Sequence, residues 1–425
     1  MLFFGNQPSS VAFIFSPTRF SHRPVDKRRR VGYRLYMLNI DHELSSLEQA
    51  GLYRRLISLG SASGPHITIE GRRVLLLASN DYLGLAMHPR MKAWAQEAAA
   101  AWGTGSGASR LISGSTTLFD ELEDCLARFK QTEAALVFNT GYMANVGLLQ
   151  ALAGPEDVIY SDELNHASII DGCRLSRSRI EVYPHRDIEA LAGLLEKCGH
   201  ARRRIIVTDA VFSMDGDIAP LPELAALGRS YDATLIVDDA HGTGALGPTG
   251  RGTLEHFGLA GSPDIIVMAT LGKALGSFGA FVAGSHDLRE YLINRARSFI
   301  FTTALPPSVV ASAMEALNIL KDEPELCRRL TQNAEFMRAG LKTLGFNTLD
   351  SRTQIMPLLI GNPDKAVAMA RRLFEEGIFI QAIRPPTVPQ GASRLRITVM
   401  ANHDIQDLEW ALDMIGKTGK ELGII

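Results

Sequence analysis

The sequence predicts an α/β protein: a large, mostly parallel sheet covered on both faces, followed by a smaller α+β domain. Two patterns carry this reading. Short apolar runs recur at 134–138, 157–160, 204–208, 234–237, 264–268 and 280–283, with helical or loop segments between them. Continuous runs of this kind, unlike alternating ones, fit strands buried on both sides. After the Pro306-Pro307 break, a long helical stretch reaches about Leu344. The chain then reads as strand 355–360, helix 364–376, strands 378–383 and 394–399, and helix 405–422, a second and smaller α+β layer.

A chain of 425 residues holds a large core plus a second module. The expected organisation is a basic, disordered extension over 1–36, an N-terminal segment over 37–85 packing with the small domain, a large domain over 86–310, and the small domain over 311–425. Residues 47–59 form a short amphipathic segment carrying Arg54 and Arg55, and 74–78 a buried strand. Ser79-Asn80-Asp81-Tyr82-Leu83-Gly84 is turn chemistry. An Ala-rich helix over 90–102 stops at Gly103-Thr104-Gly105-Ser106-Gly107.

Charge and cysteine content exclude several classes. A formal net charge of -2 gives no global attraction to nucleic acid or to an anionic membrane. The four cysteines, Cys125, Cys173, Cys198 and Cys327, form no CxxC pair and have no histidine at metal-ligand spacing. That argues against a disulfide framework or a metal site and fits the reducing cytosol. No apolar run approaches the ~20 residues of a membrane span. The first 36 residues stand apart: Arg19, Arg23, Lys27, Arg28, Arg29, Arg30 and Arg34 face one acid, Asp26. A transit peptide has this composition. A disordered arm, or a start at Met37, explains it equally well.

In open α/β sheets, ligands bind beyond the carboxyl ends of the strands. After 134–138 comes Asn139-Thr140-Gly141-Tyr142, opening a helix whose N-terminal amides suit a phosphate. After 157–160 comes His166, after 204–208 Ser213, after 234–237 Asp238 and His241, and after 264–268 Thr270 and Lys273. Each has an ordinary explanation alone: a turn histidine, a helix cap, a solvated lysine. Together they supply an anion site, a stacking imidazole, a hydroxyl, a carboxylate and an amine that can form a Schiff base. Those are the requirements of pyridoxal phosphate. A competing dinucleotide signature, Gly103 to Ala108, follows a helix where it must follow a strand, so a nicotinamide-dependent dehydrogenase is a distant alternative.

These residues carry a family resemblance from about Leu47 to the C-terminus. SNDYLGL at 79–85, GSGASRLISG at 105–114, DELNHAS at 162–168, VFSMDGD at 211–217, VDDAHGTG at 237–244 and TLGKALG at 270–276 resemble the α-oxoamine synthases. These are fold-type-I pyridoxal-phosphate enzymes that condense an amino acid with an acyl thioester and release CO2. The resemblance implies that Lys273 is the Schiff-base lysine and catalytic base. Asp238 would pair with the pyridine nitrogen, and His166 would stack on the ring and donate protons. Ser213 and His241 would reach the ring's phenolic oxygen. Gly141, Tyr142 and Thr270 would hold the phosphate with Thr303 of a second subunit, which implies a homodimer. Asn80 and Arg396 would bind the amino acid's carboxylate, and Arg54 would lie near the acyl entrance.

The stretch Ala382-Ile383-Arg384-Pro385-Pro386-Thr387-Val388-Pro389, with Arg394-Leu395-Arg396 after it, is similar to one branch of the family. That branch joins L-alanine to a pimeloyl thioester, carried by coenzyme A or an acyl-carrier protein, in biotin synthesis. Arg384 is implied to recognise the acyl group's far carboxylate; a rigid turn at a domain junction is the plainer explanation. The branches using glycine or serine with other acyl groups are the alternatives. A non-catalytic scaffold subunit of the family would lack the lysine that this chain has.

Overall fold

The structure, a computed structural model, describes residues 39–50 and 52–425, so the basic stretch 1–36 lies outside the described residues. The chain divides into two compact units, one ending at Ile57 and the other running from Ser58 to Ile425. In the first, a helix over Ile40–Gln49 buries no residue. Residues 52–57, with Arg54 and Arg55, are exposed and have no regular secondary structure. Of the amphipathic segment expected over 47–59, only the residues up to Gln49 are helical.

In the second unit, β1 (His66–Ile69) and β2 (Arg72–Leu76) form an antiparallel hairpin. A seven-stranded sheet follows, made of β3 (Ala134–Phe138), β4 (Val158–Asp162), β5 (Arg179–Tyr183), β6 (Arg204–Asp209), β7 (Ala233–Asp238), β8 (Ile265–Thr270) and β9 (Ala280–Gly284). Their order is β3-β9-β8-β7-β6-β4-β5. Every neighbouring pair is parallel except those of β9, which runs against both β3 and β8. An antiparallel neighbour needs no crossover helix, so β8 turns directly into β9 through the loop that carries Lys273.

The two faces of this sheet form two cores, as period-two alternation requires. Ala135, Val137, Leu235, Val237, Val267 and Ala269 belong to one, and Leu136, Phe138, Ile236 and Met268 to the other. β5 escaped the sequence reading because it is an edge strand with charged residues in it: Arg179, which is exposed, and Glu181 break the continuous apolar signal.

The C-terminal part contains β10 (Ile355–Gly361), β11 (Ile378–Phe379), β12 (Gln381–Ile383) and β13 (Ser393–Thr398). The single strand expected over 378–383 is two strands in different sheets. β11 pairs in parallel with β2, while β12 pairs antiparallel with β13, whose other neighbour is β10. The long helix expected after Pro307 is also two, Pro307–Asp322 and Glu325–Thr343. Pro324 lies at the break, where its ring prevents the first helix from continuing.

The strand ends are fixed by a buried ion network. Lys130, the last residue of helix Thr117–Lys130, donates to Asp239 Oδ2 at 2.8 Å, to Thr243 Oγ1 at 2.6 Å and to the Arg251 carbonyl at 2.5 Å. Asp239 Oδ1 accepts from the Thr253 amide and hydroxyl at 3.1 and 2.6 Å. Removing one member leaves the other charge buried and unpaired. Lys130→Met should therefore lower unfolding stability by about 3–5 kcal/mol in urea titrations. A loss within 1 kcal/mol would show that the network is slack.

Candidate active site

The carboxyl ends of β3, β4, β6, β7 and β8 open onto one edge of the sheet, since these strands run parallel. The segments that begin there carry Gly141, His166, Ser213, His241 and Lys273 respectively. Asp238 and Thr270 are themselves the last residues of β7 and β8.

Asp238 is buried and held on both oxygens. Asn145 Nδ2 donates to Oδ2 at 2.7 Å, and the Ala240 amide donates to Oδ1 at 3.0 Å. Burial raises its pKa, with the charge of Lys273 and the Asn145 hydrogen bond opposing. Lys273 is the converse case. Burial lowers its pKa, with Asp238 and then Asp209 opposing. Its Nζ lies 2.9 Å from His241 Nε2. An amine so placed is more readily neutral than an exposed lysine, as a nucleophile must be.

His241 is fixed from three sides. Its carbonyl accepts from Gln354 Nε2 at 2.9 Å, its Nδ1 lies 2.7 Å from the Tyr82 hydroxyl, and its Nε2 faces Lys273. Burial, reinforced by the charges of Lys273, Arg396 and His166, pushes its pKa well below the ordinary histidine value.

His166 caps helix Ala167–Ser176, and its Nδ1 lies 2.7 Å from Ser168 Oγ. Ser168 in turn accepts from Asn145 Nδ2 at 2.8 Å, so one asparagine ties the His166 turn to Asp238. The His166 amide donates to Asp209 Oδ2 at 2.7 Å. Asp209 is buried at the end of β6, where desolvation and then the neighbouring Asp238 raise its pKa well above the carboxylate range.

Thr140 caps helix Gly141–Leu152 by accepting from the Met143 amide. The Gly141 and Tyr142 amides, at the first helical positions, have no intrahelical acceptor. Tyr142 is exposed and its hydroxyl donates to Asp171 at 2.5 Å. Thr270 Oγ1 donates to the Gly279 carbonyl and accepts from the Gly272 amide, closing the turn before Lys273.

Arg396, on β13, donates from Nε to the Ser213 carbonyl at 2.5 Å and from Nη2 to Asn80 Oδ1 at 3.2 Å. Those bonds use two of its five N–H donors among the described residues. Arg394, two positions back on the same face, is committed to the Met214 carbonyl and the Asp215 carboxylate. The structure thus gathers Lys273, Asp238, His166, His241, Ser213, Asn80 and Arg396 around one cleft.

Two expected residues, Thr303 and Arg384, stand elsewhere. Thr303 is exposed, and its carbonyl accepts from Asn139 Nδ2 at 2.6 Å. Arg384 lines a surface cavity with Asp364, Arg371 and Glu375 of helix Pro363–Glu375, outside the Lys273 cluster. Arg54 lies in the unit that ends at Ile57. The sequence reading missed Asn145, Asp209 and Tyr82. For Asn145 a signal existed: a polar side chain one turn into an otherwise apolar helix, facing inward.

A second cluster braces the cleft. His185 Nδ1 lies 3.0 Å from Asp162 Oδ1 and its Nε2 2.8 Å from Asp217 Oδ2. Asp162 begins the turn that carries His166, and Asp217 ends the turn that carries Ser213. Burial opposes a charge on His185, but hydrogen bonds from the ring to both carboxylates outweigh it and push the pKa from 6.5 up to about 9.

What the cleft can hold follows from its donors and charges. Free amides at a helix N-terminus suit a phosphate. A buried carboxylate short of positive charge suits a protonated ring nitrogen, and a desolvated amine suits an aldehyde. Pyridoxal phosphate meets all three requirements. Among the described residues, no group of His, Cys, Asp and Glu could hold a metal ion, and no helix is long and apolar enough to cross a membrane.

A raised histidine pKa stabilises the fold fully below the unfolded value of 6.5 and progressively less as pH rises through 9. The stability gap between the wild-type protein and His185→Gln should therefore be widest at about pH 6.5 and just below, narrow through neutrality, and close on the alkaline side of 9. Unfolding midpoints on both sides of that pH would show it; a gap that stays constant contradicts the charged assignment.

The family model for aminotransferase class I and II matches residues 72–415. An 8-amino-7-oxononanoate synthase of Geobacter sulfurreducens is 56% identical over 390 residues, covering 91% of this chain and 99% of that protein. Among solved structures, a serine palmitoyltransferase from S. paucimobilis with PLP–myriocin bound superposes with a TM-score of 0.86 at 33% identity, covering 91% of this chain and 98% of its own. An 8-amino-7-oxononanoate synthase of Francisella tularensis does so with a TM-score of 0.72 at 30% identity, covering 82% and 98%. The chain belongs to the 8-amino-7-oxononanoate synthases, within the class I and II aminotransferase family.

Proposed function

We propose that this protein joins L-alanine to a pimeloyl thioester with loss of CO2, giving 8-amino-7-oxononanoate and a free thiol for biotin synthesis, with pyridoxal phosphate as cofactor. The observation that carries the reading is the placement of Lys273. It is a desolvated amine facing the field of Asp238 and the guanidinium of Arg396, in a chain that shares half or more of its residues with synthases of that name. Bound in the cleft, pyridoxal phosphate supplies an aldehyde carbon for an amine and a ring that spreads negative charge from the amino acid's Cα.

The residues divide the work as follows. Lys273 Nζ holds the cofactor between turnovers, then takes the Cα proton of alanine and returns one at the end. Asp238, kept in place by Asn145, accepts from the ring nitrogen and keeps it protonated. His166 would stack on the ring face and, from there, would serve as a proton donor to the reacting carbon. Ser213 and His241 face the phenolic oxygen. Gly141, Tyr142 and Thr270 hold the phosphate, with Thr303 of a second copy. The unused donors of Arg396 take the alanine carboxylate beside Asn80, a task that suits a planar guanidinium. Arg54, by its match to the family's arginine, would contact the acyl substrate. Arg384 is the weaker assignment for the acyl carboxylate, because its surroundings in the fold include Asp364 and Glu375. The acyl group arrives on coenzyme A or on a carrier protein. A homodimer fits the exposed Leu111, Ile112 and Phe301, apolar side chains near the Thr303 segment that a second copy would cover.

A second reading, a synthase using serine and a longer acyl chain, draws support from the higher TM-score of the serine palmitoyltransferase. Sequence identity of 56% to an alanine-using name, against 33%, favours the first.

Feeding alanine, glycine and serine with pimeloyl and shorter thioesters tests the choice. Alanine with the pimeloyl thioester should give the highest kcat/KM by about tenfold or more, and a preference for serine would reverse the reading. Lys273→Ala should lose both turnover and the visible absorbance of the loaded protein. Asp238→Asn should slow deuterium exchange at the alanine Cα by about a hundredfold or more while retaining some cofactor; near-normal exchange removes Asp238 from its role.

A further inference from the structure

Tyr82 is fully buried. Its hydroxyl lies 2.7 Å from His241 Nδ1 and 3.1 Å from Asn80 Oδ1. Beyond His241, Nε2 lies 2.9 Å from Lys273 Nζ. Beyond Asn80, Arg396 Nη2 donates to the same Oδ1 at 3.2 Å. A continuous line of hydrogen bonds therefore joins the amine to the carboxylate-binding arginine.

Proton bookkeeping makes this line directional. A phenol has one proton to give, and a neutral imidazole carries one N–H. The groups facing His241 are Lys273, Arg396, His166 and Tyr82, and burial with the first three charges keeps the ring neutral. Beside a lysine ammonium, which only donates, Nε2 must accept. The imidazole proton then sits on Nδ1 and is given to Tyr82, whose own proton goes to Asn80 Oδ1. Beside an ionised phenolic oxygen, which only accepts, the arrangement reverses. Nε2–H donates, Nδ1 accepts from Tyr82, and Asn80 Oδ1 is left to Arg396. Both arrangements hold one imidazole proton and one phenol proton, so the pair gains or loses no net charge.

We infer that Tyr82 is a positioning residue that selects the tautomer of His241 and thereby couples what stands beside Lys273 to the Asn80–Arg396 carboxylate pair. The inference deepens the proposed function and rests on its placement of His241 and Arg396. When the cofactor is in place, Tyr82 withdraws its proton from Asn80, whose amide can then turn a donor toward the incoming carboxylate. Alanine binding is thus favoured in the loaded protein.

The test uses the full chain loaded with pyridoxal phosphate. Tyr82→Phe keeps the ring's volume and removes the switchable proton. The phenolic oxygen, less well stabilised as an anion, should hold its shared proton more tightly. The midpoint of the absorbance–pH curve should rise by about half a unit or more, and the apparent Kd for alanine by about fivefold, the scale of one hydrogen bond. In a His241→Gln background, whose side-chain amide donates without any tautomer to select, Tyr82→Phe should add nothing. Equal shifts in both backgrounds, or none in the first, overturn the inference. Histidine-selective 15N spectra of the wild-type protein check it without a variant: the His241 tautomer should change on loading, and an unchanged one overturns it. A wild-type protein that gains no visible absorbance with pyridoxal phosphate defeats the cofactor reading as well; normal absorbance with an unshifted variant defeats only this inference.

Discussion

Asp238 is buried at the end of β7 and Lys273 is half-buried just past the end of the adjacent β8, yet they meet through space and not in a closed ion pair. The hydrogen bonds of Asp238 come from Asn145 and Ala240, and that of Lys273 goes to His241. Each charge partly offsets the desolvation of the other, and the net effect still raises the pKa of Asp238 and lowers that of Lys273. A closed pair would satisfy both groups and fill the space between them. Held apart, they leave a cleft whose charge balance is completed by something that brings a cation to Asp238 and an electrophile to Lys273. That open arrangement has to be enforced by its surroundings, because a relaxed structure would let the lysine fold onto the carboxylate.

The enforcement is close packing of three loops. Gly244, in the turn after Asp238, has a φ of +80°, and a Cβ there would come within 2.6 Å of Ala274 Cβ beside Lys273. Gly276, on the other side of Lys273, has a φ of +59° and stands where a Cβ would meet the Ala86 amide at 2.4 Å. The loops over 79–85, 237–244 and 270–276 are therefore locked against one another by residues with no side chain to spare. Their small residues serve contact between loops as much as the chemistry, and contact between loops is what sets the direction of the lysine.

Much of this was legible in the sequence, and the failures have physical causes. Fully buried strands announce themselves by continuous apolar runs, so β3 and β6 to β9 were found within about a residue or two of their ends. β5, whose Arg179 and Glu181 interrupt its apolar residues, does not, and it was missed. The sequence 378–383 is apolar except for Gln381, and nothing in it says that the chain changes sheets at Ile380 between β11 and β12. Within the site, residues placed just past strand ends could be anticipated from the architecture alone. What could not be read was which partner the fold brings to each of the others: Asp238 to Asn145, a polar residue in an apolar helix; the His166 amide to Asp209, which also follows a strand; and His241 to Tyr82.

Adjacent like residues show most sharply what folding adds. Asp238 and Asp239 are indistinguishable as letters, but successive residues leaving a strand face opposite sides of the sheet. Asp238 follows Ile236 onto the face that holds helix Gly141–Leu152, and Asn145 meets it there. Asp239 follows Val237 onto the face of helix Thr117–Lys130, where Lys130 neutralises it. The same period separates no roles in Arg394 and Arg396, which share a face of β13; there the partner decides. Arg394 ends on a carboxylate, Asp215, and has its charge answered, whereas Arg396 ends on a carbonyl and an amide oxygen, which leave its charge uncompensated. An arginine buried with only neutral acceptors is the one of the two with a reason to bind an anion.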